Sequence, residues 1–457
     1  MITTARPAAL DRAALLERFV RIRQRTRAFF DLLDESAYYD RPIRLRNPVV
    51  FYEGHLPAFA VNTLIKKALG RPGLDEHLER IFARGIDPEA EAQAVARGNP
   101  AWPSRRTVLD YAAHADRLIA DAIANADLDR PGHPLLDGAE ALWTVLEHEE
   151  MHQETMAYMW HEVPYARKRA PAGYDTCPPA HRDVRLEDRQ VRIPAGVVSL
   201  GTAPATSPFA WDNERPPCVQ PVSAFDLDVD NVTNEAFMAF VDAGGYREPR
   251  WWQPSDWQWI RAEGITHPRF WEFDGSPGAG EWYWRGMFAR VPLPAAWPVY
   301  VTWAEANAFA TWSGRRLPSE AEYHRAAYGL RGGGERLTAW PGDLPEAPRG
   351  NFDFARWDPE PVGSYPHAAS DFGVRDLVGN GWEWTSTVFA PFDGFAASPS
   401  YPEYSAEFFD GEHYVMKGAS PLTAAPLVRR GFRNWFRPRY PFVYATFRRA
   451  AGDGARR

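Results

Sequence analysis

The distribution of tryptophan divides this 457-residue chain before any motif is read. Of 19 tryptophans, only Trp102, Trp143 and Trp160 precede residue 190, and the others begin at Trp211. One uniform architecture would not sort its largest side chains this way, and the length exceeds that of one ordinary compact domain. Two differently built parts are therefore expected.

In the front part, Leu15, Phe19, Ile22, Phe29 and Leu33 recur near a 3.6-residue period, which predicts an amphipathic helix over about 11–34. Comparable segments over about 56–69, 105–125 and 137–161 complete four helices, the composition of a bundle. From about 167 the periodicity gives way to Pro, Gly and charge, so a linker is expected at 166–190, between a domain at 1–165 and another at 191–457. The rear part offers short β-prone runs (VRIPAGVVSLGT, PVSAFDLDVD, VPLPAAWPVYVTW) among long stretches dense in Gly, Pro, Asp and Trp. It also holds helical segments over 233–243 and 318–327. The fold class that follows is α+β, a helical bundle followed by a loop-rich domain.

Charge excludes one class of partner. Against 52 Lys+Arg stand 60 Asp+Glu, so no broad positive field exists to hold a phosphate backbone, and nucleic acid is not expected. No apolar run approaches the roughly 20 residues that span a bilayer, and the charge-broken N-terminus lacks the apolar core of a signal peptide. The expectation is a cytoplasmic protein without a membrane partner. Two cysteines, Cys177 and Cys218, are too few for a disulfide framework and read as structural thiols.

The sharpest chemical signal is Leu146-Glu147-His148-Glu149-Glu150-Met151-His152-Gln153-Glu154. Two histidines four apart on a helix project from one face and can grip one metal ion. Apolar Ala141, Val145 and Met159 share that face, so the imidazoles should point into the bundle. The same pattern is the zinc-peptidase signature, with Glu149 as general base, but residues 155–162 (TMAYMWHE) place no downstream histidine at the required spacing. A third ligand candidate lies upstream, His55 in FYEGHLPAF. Three histidines without a carboxylate leave about three octahedral positions open, which suits substrate and O2 at Fe(II) better than closed structural zinc.

Further segments carry a resemblance. Trp211-Asp212-Asn213-Glu214-Arg215-Pro216, Val232-Thr233-Asn234-Glu235, the run from Trp312 to Tyr323, Leu377 to Thr385 and the closing ATFRRA are similar to the formylglycine-generating-enzyme fold, a C-type-lectin-like domain. Joined to a DinB-type bundle carrying His55 and the HExxHxE segment, the chain resembles the EgtB-like family of non-haem iron sulfoxide synthases. That resemblance implies that His55, His148 and His152 bind iron. In Tyr401-Pro402-Glu403-Tyr404-Ser405 it makes Tyr401 the catalytic acid. It gives Tyr404, and Asn434 in Arg433-Asn434-Trp435, the task of holding trimethylated histidine. Trp435 is then a candidate face for the trimethylammonium group, and Arg105 a match to an arginine that binds a donor carboxylate.

The departures from the family bear on the donor. Relatives that use γ-glutamylcysteine carry an Asp after the Asn-Trp pair and an Arg four residues later, where this chain has Phe436 and Tyr440. A site without those charges should not favour that dipeptide. Met151 stands where relatives have a glutamine before the second helical histidine. The segments FYEGHLPAF and NWFRP look most like those of selenoneine synthases. The resemblance therefore implies Fe(II)- and O2-dependent joining of hercynine to a selenosugar, with an ergothioneine-type synthase using cysteine or another thiol as the alternative.

Overall fold

The computed structural model describes residues 10–83, 101–175, 189–203, 207–276, 280–342 and 349–452. The chain forms two compact units, one of Met1–Gly173 with Pro204–Phe209 and Ala397–Tyr404, the other of the remainder. Residues 176–188 of the expected linker lie outside the described residues.

Among the described residues, four long helices build the first unit. Helix α1 (Arg12–Asp31) starts where the Asp11 carboxylate accepts from the Ala14 N–H at 3.0 Å, and it buries Leu15, Phe19, Ile22 and Phe29 as its periodicity predicts, with Phe30 beside them, while Leu33 falls just past its end. Helix α2 (Val49–Ala60) continues into a π-helical stretch, Val61–Ala68, and opens seven residues before the predicted start at 56. Every residue of α2 is buried, so no polar face marks its first turns in the sequence, and the internal Pro57 reads like a helix start. A short helix α3 (Glu76–Ile81) follows. Helix α4 (Arg105–Asn125) is capped by Ser104, and α5 (Glu140–Glu162) begins after a turn in which Gly138 and Ala139 take positive φ. Side chains lock α5 to α1: Trp160 Nε1 donates to Phe29 O at 2.8 Å and Gln153 Nε2 to Ile22 O at 3.0 Å.

The second unit holds small sheets in a tryptophan-rich core. Strands β1 (Gln190–Ile193), β2 (Gly196–Leu200), β3 (Cys218–Val222) and β4 (Phe225–Asp228) fall within or beside the first two β-prone runs. Helices α6 (Asn234–Asp242) and α7 (Pro254–Glu263) precede a sheet of β5 (Trp271–Asp274), β6 (Glu281–Arg285) and β7 (Arg290–Pro292). Only the first residues of VPLPAAWPVYVTW are strand. Pro294 and Pro298 lack ladder donors, and Thr302 with Glu305 caps helix α8 (Trp303–Trp312) instead. Helix α9 (Glu320–Tyr328) begins at the Ser319–Glu322 capping box.

A four-stranded sheet then orders β10 (Asn434–Phe436), β9 (Tyr414–Ala419), β8 (Gly381–Val388) and β11 (Ala445–Thr446). Strand β12 (Ala450–Ala451) closes the sheet of β1 and β4. Trp211, Trp271, Trp284, Trp382 and Trp384 are fully buried. Among them Arg448 is also fully buried, its charge met by Glu383 at 2.6 and 2.7 Å.

Candidate metal centre

Helix α2 supplies His55, and α5 supplies His148 and His152 from one face, as four-residue spacing requires. One ligand atom from each lies within 4.8 Å of the others. His55 and His148 are 2% and 1% exposed. The three histidines read from the sequence therefore meet inside the bundle unit.

Backbone carbonyls decide which nitrogen is available. His55 Nδ1 lies 2.7 Å from Phe82 O, and His152 Nδ1 lies 2.9 Å from His148 O. A carbonyl only accepts, so both Nδ1 atoms carry the proton and both Nε2 atoms keep a lone pair. The Nε2 atoms of His55 and His148 are buried without a hydrogen-bond partner. An orphaned buried nitrogen costs about 1–3 kcal/mol, a penalty that ligation removes. Burial also keeps the rings neutral. It depresses His55 to about 4 and His152 to about 3, and lowers His148 well below the ordinary imidazole range with help from its two neighbours. Neutral imidazoles with oriented lone pairs are the form a divalent metal binds, so the residues present fit a first-row ion.

Aromatic rings and one loop complete the site. Phe59 stacks face to face on His148, centroids 3.6 Å apart, and Phe51 stacks on His55 at 4.8 Å. Phe59 escapes a motif search, although it stands four residues after His55 on the same helix. The segment Ala397–Tyr404 belongs to this unit and is pinned to the bundle. Ser400 and Thr144 hydroxyls meet at 2.7 Å, Ser398 Oγ donates to Glu140 Oε1 at 3.2 Å, and Lys67 Nζ donates to Ser400 O at 3.3 Å. The pinning brings the Tyr401 ring edge-on to Phe59 at 5.2 Å and to His148 at 5.9 Å. Tyr404 donates its hydroxyl to Met151 Sδ at 3.3 Å, which gives Met151 a defined partner one residue before His152.

Glu149, the base of a peptidase reading, is engaged elsewhere. Its carboxylate accepts from Arg23 Nη1 at 2.7 Å and Thr26 Oγ1 at 2.5 Å, both on α1. It ties two helices together and is occupied as an acceptor of buried donors.

Two family matches divide the chain as its architecture does. Residues 18–156 match the DinB superfamily, and 177–451 match the Sulfatase-modifying factor enzyme 1-like domain. Over 451 residues the chain is 33% identical to a hercynine oxygenase of Mycolicibacterium thermoresistibile, spanning 96% of this chain and 95% of that protein. The chain belongs to the EgtB-like sulfoxide synthase family. As a member it is an oxidoreductase. It is also 24% identical over 496 residues to Ergothioneine biosynthesis protein 1 of Neurospora crassa, covering 91% of this chain and 55% of that protein. It is 33% identical over 237 residues to a formylglycine-generating enzyme of Mycobacterium tuberculosis, covering 44% of this chain and 74% of that protein. No described helix is long and apolar enough to cross a membrane.

The remaining site residues inferred from the EgtB-like resemblance have defined surroundings. Arg105 Nη2 donates to Glu53 Oε1 at 3.1 Å, and its guanidinium lies over the Tyr38 ring at 5.2 Å. In the second unit, Asn434 opens β10 and accepts on Oδ1 from the Trp435 N–H at 2.9 Å. Trp435 stacks on Phe389 at 4.2 Å. Arg433 beside them is buried against Glu320 at 3.0 and 3.1 Å. Phe436 and Tyr440 stack on one another at 5.0 Å, two aromatic side chains without formal charge.

Proposed function

We propose that this protein forms a carbon–selenium bond at imidazole C2 of hercynine, using a selenosugar donor, Fe(II) and O2. The observation that carries the coarser part, a sulfoxide-synthase-type reaction on hercynine, is the triad of neutral histidines with the Tyr401 ring at its edge. The hercynine oxygenase match supports the same substrate. Bound Fe(II) supplies a centre at which O2 and a soft chalcogen donor are held together. Nε2 of His55 and His152, together with His148, would hold it. Tyr401 holds its phenolic proton on Oη beside His148, where it would serve as the general acid that directs oxidation toward bond formation.

Tyr404, Asn434 and Trp435 are assigned to the trimethylated histidine, and Arg105 to a donor carboxylate, on the strength of the resemblance. For Arg105 the Glu53 ion pair argues that any such role requires exchange of partners. The selenosugar reading is supported by the stacked Phe436–Tyr440 pair, which offers no charge to a zwitterionic dipeptide. A second reading, an ergothioneine-type synthase joining hercynine to cysteine or another thiol, is favoured by the likeness to two proteins named Ergothioneine biosynthesis protein 1. A cytoplasmic location belongs to either reading.

Competition among selenosugar, cysteine and γ-glutamylcysteine, read by mass spectrometry of the hercynine adduct, separates them. A predominant selenium adduct is expected. A predominant cysteine adduct selects the second reading.

A further inference from the structure

Helix α2 carries a glycine one residue before its metal-ligand candidate, and the space above that glycine is filled. An ideal Cβ on Gly54 would meet Cε2, Cζ and Cδ2 of Phe82 at 2.4, 2.4 and 2.6 Å, closer than side-chain carbons approach. Phe82 ends the short helix α3, its N–H donating to Leu78 O at 3.0 Å. It is fully buried, and its ring stacks on Trp102 at 5.8 Å. Its carbonyl is the one that takes the proton of His55 Nδ1. The same residue therefore presses its ring into the gap at Gly54 and its carbonyl onto the next side chain of that helix.

We propose that Gly54 is a positioning residue for His55, acting through Phe82: the missing side chain lets the Phe82 ring seat on α2, and that seat holds the Phe82 carbonyl where it fixes the His55 tautomer. The proposal rests on the reading of the triad as a metal centre. With the carbonyl displaced, Nδ1 loses its acceptor, the ring samples both tautomers, and Nε2 is no longer committed to the triad. Helix propensity does not account for the glycine, because Ala is the better helix former at a mid-helix position.

The test uses the metal-free full chain, Fe(II) alone under anaerobic conditions, and NMR of 15N-histidine-labelled protein. Gly54→Ala should weaken Fe(II) binding about 10- to 100-fold and remove the slowly exchanging Nδ1–H signal of His55. Phe82→Leu placed in the Gly54→Ala background clears the new methyl and keeps the backbone carbonyl, so it should restore both. A folded Gly54→Ala protein with wild-type affinity and an unchanged Nδ1–H signal overturns the proposal, as does a double variant no better than the single one. If Gly54→Ala alone does not fold, the double variant should fold and match Phe82→Leu. A double variant that also fails to fold overturns it, because the obstruction would then lie elsewhere than at the Phe82 ring. Failure of the wild-type chain to bind Fe(II) would sink the metal reading instead, while the His55 signal would still report on Gly54.

Discussion

The rings of Phe59 and His148 lie face to face, centroids 3.6 Å apart and planes 8° from parallel. A flat wall at that distance prevents the imidazole from turning, so His148 is held ready with its buried Nε2 uncommitted. Preformed orientation of this kind lowers the cost of binding a ligand, because little side-chain freedom remains to be lost.

Phe59→Ala should reveal both roles of that wall. Truncating a buried phenylalanine costs about 3–5 kcal/mol of stability. The metal-free protein should therefore melt earlier, and Fe(II) affinity measured below the new melting point should also fall. Calorimetry and anaerobic titration check the two effects separately.

Tyr401→Phe keeps the ring against Phe59 and His148 and removes only the hydroxyl. Metal affinity should stay at the wild-type value, while turnover should drop by about 10²–10⁴, the ordinary worth of a placed general acid. Steady-state O2 uptake and product analysis would show it. Undiminished turnover would remove Tyr401 from the mechanism.

Glu149→Gln distinguishes a tie between helices from a catalytic base. The substitution leaves Arg23 buried at 5% exposure with Asp116 as its remaining carboxylate partner. Because Asp116 still pairs with Arg23 and the Gln amide oxygen can still accept from it, the cost should fall below the roughly 3–5 kcal/mol of a buried charge left without a partner. The expected outcome is a lower unfolding midpoint, with turnover per folded molecule retained at temperatures where the variant is folded.

The second unit supplies a pH prediction. Asp376 is 5% exposed, and burial pushes its carboxyl from 3.8 up to about 6, against the Gly363 N–H that favours the charged form. A folded pKa above the unfolded one means that the folded state keeps a proton the unfolded state has released. Stability from this group therefore falls as pH rises from 3.8 to about 6 and stays reduced above it. The full loss is on the order of 3 kcal/mol. Asp376→Asn preserves shape and tolerates the positive φ of 52° at this residue. Its denaturation free energy should lack that decline, as urea melts across the interval would record.

How much of this was legible in the sequence follows from where polar faces lie. Helix α1 shows alternating buried and solvated sides, so its periodicity reveals it. Helix α2 is buried all round and hides its first two turns. In the second unit, β8 buries five consecutive residues and shows no alternation, so it reads as a Trp-rich loop. The histidine pair is visible because four-residue spacing has one geometric meaning on a helix. His55 becomes a partner only through tertiary packing, and Phe82, which orients it, contributes a backbone carbonyl that no residue pattern announces. Glu149 shows the converse: a familiar motif position whose buried partners on α1 give it a different task.

Anaerobic titration of the metal-free chain with Fe(II), followed by hercynine-dependent O2 uptake, tests the central claim most directly when wild type and His152→Ala are compared. One Fe(II) bound per chain and hercynine-stimulated uptake in wild type, both lost in folded His152→Ala, are predicted. Wild-type protein that binds Fe(II) yet consumes no O2 with hercynine and any donor, or His152→Ala that retains turnover, would contradict it.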